Sequence, residues 1–109
     1  MAKILLVDDE QTIRAALRDI LEYEGYTIDE ARDGDEGLEA LRQNGYDVVL
    51  CDIKMPKMDG LELLLKAKEL ELQAQFIMIS AFGNIENAVE ATKRGAFDFL
   101  QKPPDLNRL

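Results

Sequence analysis

The sequence predicts a three-layer α/β/α domain built on a five-stranded parallel sheet, and three short apolar runs are the main evidence. These runs, at residues 4–7, 48–51 and 76–79, are bounded by charged or turn residues and contain β-branched side chains, which is typical of strands buried on both faces. Segments with helical spacing of apolar residues separate the runs. Because parallel strands require crossover connections, this alternation favours a sheet covered by helices on both faces.

Two mixed stretches, at residues 26–31 and 97–100, complete the predicted strands. Acidic residues interrupt both of them, so we expect them at the edges of the sheet. Placing the three apolar strands inside gives the strand order 2-1-3-4-5, which is the flavodoxin-like, doubly wound arrangement.

Helical spacing is clearest after the first strand, and Gly25 is predicted to end that helix. Its apolar stripe consists of Ile13, Ala16, Leu17, Ile20 and Leu21. Three weaker stripes predict further helices: Leu38 with Leu41; Leu61 with Leu64 and Leu65; and Ile85 with Ala88, Val89 and Thr92, the last ending before Gly95. A fifth helix is predicted to begin near Asp105, so we expect the C-terminal helix to be cut short at Leu109.

Length and charge narrow the class of protein. The chain has 109 residues, so we expect one domain over residues 1–109. Its 22 acidic against 13 basic residues give a net charge of -9, which argues against direct contact with nucleic acid because phosphate binding needs clustered basic groups. The longest apolar runs have about five residues, against roughly 20 for a membrane span. We therefore expect a cytoplasmic domain with no membrane contact.

The absence of histidine and the single cysteine exclude several kinds of chemistry. The chain has no His and one Cys, so it has no internal disulfide, no soft-metal site, no Cys-His pair and no Ser-His-Asp triad. Strand alternation turns Cys51 away from its neighbour Asp52, and we expect the thiol to pack in the core.

Polar residues follow the carboxyl ends of the predicted strands, where open parallel sheets bind ligands. The first strand leads into Asp8, Asp9 and Glu10, the third into Asp52, the fourth into Ser80 and the fifth, after Gln101, into Lys102. Helix capping is an alternative explanation for Asp8 and Asp9, but it does not account for Asp52. We therefore expect three aspartates, a hydroxyl and an ammonium group to converge on one site.

Crowded carboxylates require either a raised pKa or a cation. At about 4 Å and an effective dielectric constant of 20, each pair repels by roughly 4 kcal/mol. A site made of oxygen ligands suits Mg²⁺, with Asp9 and Asp52 as direct ligands and Asp8 acting mainly through water. Ser80 and Lys102, which alone would be a turn hydroxyl and a surface charge, would complete a site for phosphoryl transfer to Asp52.

Four segments give the chain its resemblance to a known family. The segments are ILLVDDE at 4–10, DVVLCDIKMPKMDG at 47–60, IMISAFG at 77–83 and FDFLQKP at 97–103. In order and spacing they resemble the receiver domains of two-component response regulators over essentially the whole chain. The resemblance implies the CheY-like form of the fold, with Pro56 and Gly60 in the turn after the third strand and Met55 and Met58 as packing residues.

The same resemblance implies specific roles for the site residues. These are phosphorylation at Asp52, an acidic pair at Asp8 and Asp9, a phosphate-sensing hydroxyl at Ser80, a conserved-type lysine at Lys102, a switch aromatic at Phe99, and a metal ligand from the backbone carbonyl of Lys54. The cofactor would be Mg²⁺, or Mn²⁺ in its place. The Lys102-Pro103 bond would be cis, against a base rate of about 5 to 6% for X-Pro bonds. Two positions depart from the usual pattern, since Phe99 replaces a common Tyr and Ser80 replaces a common Thr.

The implied function is signal transduction. A sensor histidine kinase would supply the phosphoryl group, and the domain would catalyse its own phosphorylation and dephosphorylation rather than turn over small substrates. The switch would control an attached output domain in transcription regulation, with a homodimer through the fourth-helix and fifth-strand face. Residues 79–104 further resemble receivers of nitrogen-class enhancer-binding activators, which carry an AAA+ ATPase and a DNA-binding domain.

Three alternative functions are less consistent with the site residues of the sequence. The fold could serve as a docking module that works without phosphorylation. A flavin mononucleotide carrier would have to bind phosphate at Asp8, Asp9 and Glu10, where like charges oppose it. A phosphatase of the haloacid dehalogenase type would need a second aspartate two residues after the nucleophile, where this chain has Lys54.

Overall fold

The computed structural model describes residues 2–53, 55, 58–80, 93, 95–96 and 98–101, and for residues 80 and 98–101 it describes the backbone. Strands and helices alternate along most of this length. The elements are β1 (Lys3–Val7), α1 (Gln11–Tyr23), β2 (Thr27–Ala31), α2 (Gly34–Gln43), β3 (Val48–Asp52), α3 (Gly60–Glu69), β4 (Gln75–Ser80) and β5 (Asp98–Gln101). Each predicted strand end lies within one residue of the observed end.

The five strands form one parallel sheet in the order β2-β1-β3-β4-β5. The predicted order is therefore confirmed. The three apolar strands are the central ones, and Leu5, Val49 and Met78 on them are fully buried. At the carboxyl ends of the central strands, Val7 of β1 pairs with Cys51 of β3. This pairing brings the residues after β1 next to the last residue of β3.

Strand alternation divides the core between the two faces of the sheet. On one face, Leu5, Val49 and Cys51 pack with side chains from α2 and α3, such as Leu41 and Leu63. On the other face, a second cluster joins the remaining strand positions to α1; its buried members are Ile4, Leu6, Leu17, Leu21, Ile28, Leu50 and Ile79. Burial on both faces explains why the central strands are continuous apolar runs.

The α1 stripe is narrower than its sequence pattern. Leu17 and Leu21 are buried, but Ala16 is exposed and Ile20 is 42% exposed. The reason is geometric: α1 rests on the sheet through the two leucines, and Ile20 lies beside that line of contact. Within the part of the chain that the structure describes, no helix is long and apolar enough to cross a membrane. The predicted fourth helix, apart from Lys93, and the predicted fifth helix lie outside the described residues.

Gly25 ends α1 as predicted. Its φ is 97°, in the left-handed region that glycine adopts at little cost. The N–H of Gly25 donates to the carbonyl of Glu22, and the N–H of Tyr26 donates to that of Leu21. This pair of bonds is a Schellman motif, which satisfies two carbonyls at the helix end.

The end of α3 has the same pair of bonds but lacks the glycine. Glu71 takes the left-handed position with φ 56°; its N–H donates to Lys68, and the N–H of Leu72 donates to Ala67. Glu71→Gly is therefore expected to raise the free energy of unfolding by about 1 kcal/mol, because a side chain in this conformation costs about that much.

Urea unfolding checks this prediction, with Glu69→Gly as the matched control. Glu69 is exposed and is the last helical residue of α3, so glycine there should lower stability by about 0.5–1 kcal/mol. Equal destabilisation by both substitutions would contradict the assignment of strain to Glu71.

Candidate functional site

Four carboxylates meet at the carboxyl ends of β1 and β3. One oxygen from each of Asp8, Asp9, Glu10 and Asp52 lies within 4.8 Å of the others. Asp8 and Asp52 are buried at 5% and 6% exposure, whereas Asp9 and Glu10 are exposed. The cluster therefore has a buried floor and an exposed rim that solvent can reach.

The segment after β1 is held by its own hydrogen bonds. The N–H of Asp8 donates to the carbonyl of Ala31 at 3.1 Å, and Asp8 Oδ1 accepts the N–H of Glu10 at 2.9 Å. Glu10 is the N-cap residue of α1, yet α1 has no side-chain capping bond. A side-chain capping bond from Glu10 therefore does not account for the acids at this position.

Glu10 was not among the predicted site residues, although its carboxylate belongs to the cluster. The sequence signal was present, since Glu10 directly follows the acidic pair. The direction in which the Glu10 side chain points could not be predicted, because it depends on the turn between β1 and α1. The N-cap conformation of Glu10, with φ -95° and ψ 108°, is the local geometry that sets this turn.

The start of α3 lies close against Asp52 at Gly60. The N–H of Gly60 donates to the carbonyl of Ile53 at 2.7 Å, and Asp59 caps α3 by accepting the N–H of Glu62 at 2.8 Å. Gly60 is the first residue of α3 rather than a turn residue. The predicted packing role of Met55 and Met58 is confirmed, since both are buried in the core.

Cys51 packs in the core as predicted, in the cluster on the opposite face of the sheet from α1. Its side chain is fully buried, and its Sγ donates to the carbonyl of Asp52 at 3.3 Å. Burial raises the pKa of the thiol well above its ordinary value, and the negative charges of Asp52, Asp8 and Asp59 add to the effect. The thiol therefore stays protonated at neutral pH and acts as a packing group.

Two arginines of α1 bind one carboxylate at the sheet edge. Arg18 Nη1 lies 2.6 Å from Glu30 Oε2, and Arg14 Nε lies 3.0 Å from Glu30 Oε1. The hydrogen bond from Arg18, followed by the one from Arg14, holds the pKa of Glu30 below its ordinary value of 4.5 despite partial burial. These contacts tie α1 to the end of β2.

Glu30→Gln is expected to lower the free energy of unfolding by about 1 kcal/mol at neutral pH, since the pairs are partly exposed and screened. Because the folded pKa is lowered, the carboxylate stabilises the fold above pH 4.5 and loses this contribution as the pH falls through the folded pKa. The difference between parent and variant should shrink on acidification. Urea unfolding as a function of pH measures it, and a difference that grows in acid would contradict the assignment.

Several predicted site residues are not placed by the structure. Lys54, Lys102 and Pro103 lie outside the described residues, so their predicted contacts and the cis peptide bond remain predictions. The backbone positions of Ser80 and Phe99 are described: Ser80 pairs with Gln101, and Phe99 pairs with Met78. The register thus places the end of β5 next to the end of β4.

The donor set fits a hard divalent cation. The four grouped ligand atoms are all carboxylate oxygens, the ligand type that Mg²⁺ prefers. Mg²⁺ commonly uses one or two carboxylates and keeps several waters, and the exposed rim at Asp9 and Glu10 leaves room for them. Asp8, Asp9 and Asp52 are therefore suited to hold Mg²⁺, and the division into direct and water-mediated ligands stays a prediction.

Sequence comparisons find one family and many relatives. The model of the response regulator receiver domain matches residues 4–109. Transcriptional regulatory protein ZraR of Salmonella typhimurium is 40% identical over 106 residues, with 97% of this chain and 24% of the relative covered. Nitrogen assimilation regulatory protein NtrX of Azorhizobium caulinodans is 44% identical over 108 residues, with the same coverage. The chain spans about a quarter of the length of these relatives.

Solved structures show the same fold. The Francisella response regulator 1452 receiver domain has a TM-score of 0.93 and 32% identity, covering 99% of this chain and 89% of that one. Vibrio cholerae chemotaxis protein CheY4 has a TM-score of 0.92 and 30% identity, covering 98% and 91%. The predicted fold class is confirmed.

Proposed function

The chain belongs to the response regulator receiver domain family, and we propose that it accepts a phosphoryl group on Asp52 from a sensor histidine kinase. One observation carries this proposal: the buried Asp52 carboxylate lies within 4.8 Å of those of Asp8, Asp9 and Glu10. A carboxylate at the end of a central strand, among further acids that suit a divalent cation, is what acyl phosphate formation requires.

The backbone holds Asp52 in place for attack. Its carbonyl lies against Gly60, and the N–H of the next residue, Ile53, donates to the carbonyl of Ile79 at 3.1 Å. A carboxylate oxygen of Asp52 attacks phosphorus in line, the P–N bond of the phosphohistidine breaks, and its electron pair returns to the imidazole nitrogen. Precise placement of the nucleophile supplies much of the rate in phosphoryl transfer.

The cation would be held by Asp9 and Asp52, by Asp8 through water, and by the carbonyl of Lys54. When bound, Mg²⁺, or Mn²⁺ in its place, would neutralise the negative charge on the phosphoryl oxygens. Lys102 would donate to the same oxygens. This arrangement would let an acidic domain accept a further anionic group.

The response to phosphorylation is proposed to pass through Ser80 and Phe99. Ser80 lies on β4 and Phe99 lies on the adjoining strand β5. A shift of the Ser80 hydroxyl toward the phosphoryl group would therefore be transmitted to the β5 side of the sheet. Relatives are named transcriptional regulatory proteins, which supports an output domain that controls transcription in the cytoplasm. A homodimer through the fourth-helix and fifth-strand face would accompany activation.

Incubation with acetyl phosphate tests this function. We expect intact-mass spectrometry to show one added phosphoryl group in the presence of Mg²⁺ and none when the metal is chelated. Asp52→Asn should remain unmodified. Asp59→Asn is the matched control, since Asp59 lies outside the carboxylate cluster and Asn keeps its capping bond; it should react like the parent. Modification of Asp52→Asn would contradict the proposal.

A further inference from the structure

Arg14 contacts the acidic segment through both its main chain and its side chain. Its backbone N–H donates to the carbonyl of Glu10 at 3.1 Å, and its Nη1 donates to the carbonyl of Asp8. The Arg14 side chain therefore binds the carbonyl of Asp8 at the start of the three-residue segment that supplies three carboxylates of the site. The main-chain bond to Glu10, at the end of that segment, is the first hydrogen bond of α1. Its side chain is 13% exposed, so the bond to Asp8 is partly buried.

Glu30 fixes the other side of the same guanidinium. Arg14 Nε donates to Glu30 Oε1 at 3.0 Å. Glu30 precedes Ala31, whose carbonyl accepts the N–H of Asp8 at 3.1 Å. The end of β2 therefore holds the Asp8 backbone directly through Ala31 and indirectly through Glu30 and Arg14. Together these bonds fix the position at which the chain leaves β1 and enters the site.

We propose that Arg14 is a positioning residue that fixes the Asp8–Glu10 segment in the conformation that binds the divalent cation. The inference rests on the proposed function for its purpose, but the side-chain hydrogen bonds of Arg14 within the described residues go to Asp8 and Glu30. Groups that orient metal ligands typically change metal affinity by roughly 10–100-fold when removed. Only a fork-shaped guanidinium spans the carbonyl of Asp8 and the carboxylate of Glu30 together, because an ammonium group is a compact donor.

Arg18 provides a matched control for Arg14. It also lies on α1, carries the same charge and donates to the same carboxylate, at 2.6 Å. Its other described partner is Glu22 at 3.3 Å, one turn along α1 and away from the acidic segment. Loss of the Arg18 guanidinium should therefore weaken the contact between α1 and β2 without changing the position of the Asp8 backbone.

Mg²⁺ binding to the whole chain, followed by amide chemical shifts in NMR titrations, tests the proposal. We expect Arg14→Lys to weaken Mg²⁺ binding by about tenfold and Arg18→Lys to change it by less than about twofold, with similar losses in Tm. Both variants keep the charge. Arg14→Met is the second variant: loss of a cation should by itself tighten Mg²⁺ binding, so weaker binding would show that positioning dominates.

The outcomes separate positioning from the alternatives. Equal changes in the two lysine variants, or tighter binding in Arg14→Met, would overturn the proposal, as would a parent chain that binds no Mg²⁺. The acetyl phosphate reaction is read separately. If the parent binds Mg²⁺ and Arg14→Lys weakens that binding, but Asp52 stays unmodified, then the proposed function fails and the positioning role of Arg14 stands.

Discussion

Replacing Gly60 with alanine is expected to destabilise the domain by about 3 kcal/mol, the upper part of the usual range for overpacking. A Cβ on Gly60 would lie 2.2 Å from the carbonyl oxygen of Asp52 and 2.9 Å from Cε of Met78. The methionine can move, but the carbonyl belongs to the end of β3 and is fixed by the sheet. Relief therefore requires a shift of α3 or of the Asp52 backbone, and the measurement is urea unfolding.

Gly45→Ala is the control for Gly60→Ala. A Cβ on Gly45 would meet nothing within 4 Å, and its φ is not positive. Alanine there should be neutral or stabilise by up to about 1 kcal/mol, through the lower entropy of the unfolded chain. If both alanine variants unfolded at the same urea concentration as the parent, close packing at Gly60 would not be the constraint we describe.

Adding Mg²⁺ at about a hundred times its dissociation constant is expected to raise the free energy of unfolding by about 2.7 kcal/mol. The reason is that the folded chain holds four carboxylate oxygens within 4.8 Å, whereas the unfolded chain disperses them. Thermal unfolding with Mg²⁺ and with a chelator measures the gain. In Asp9→Asn the gain at the same concentration should fall below about 1 kcal/mol, since a predicted direct ligand is lost.

Two controls accompany the Mg²⁺ measurement. Asp19→Asn makes the same chemical change at an exposed position of α1 and should keep the full gain. Sodium chloride at matched ionic strength should give a much smaller effect, because screening of exposed charges is weak compared with binding. An equal gain in Asp9→Asn, or an equal gain with sodium chloride, would contradict a specific site.

The arrangement of the strands could be predicted from the sequence because strands buried on both faces of the sheet are continuous apolar runs. Apolar runs at the positions of β1, β3 and β4 required a central place, and the acidic residues in β2 and β5 favoured the edges. Parallel strands end at one edge, so the proximity of Asp8, Asp9 and Asp52 followed directly. Those three carboxylates are indeed together in the structure.

Contacts between elements were not readable in the same way. Gly60 was predicted as a turn residue, yet it is needed where α3 meets the Asp52 carbonyl, a distance that only the packed structure determines. Arg14 was not singled out from the sequence, because its bond to the carbonyl of Asp8 is not encoded in residue type or spacing. The site thus depends on close contacts that the periodicity of each element does not encode.

Chemical identification of the phosphorylated residue tests the central claim most directly. After incubation with acetyl phosphate and Mg²⁺, sodium borohydride reduces an aspartyl phosphate to homoserine, and peptide mass mapping locates the reduced position. We expect homoserine at position 52, with aspartate retained at positions 8, 9 and 59. Aspartate at position 52 together with homoserine at any of the other three would contradict the role we assign to Asp52.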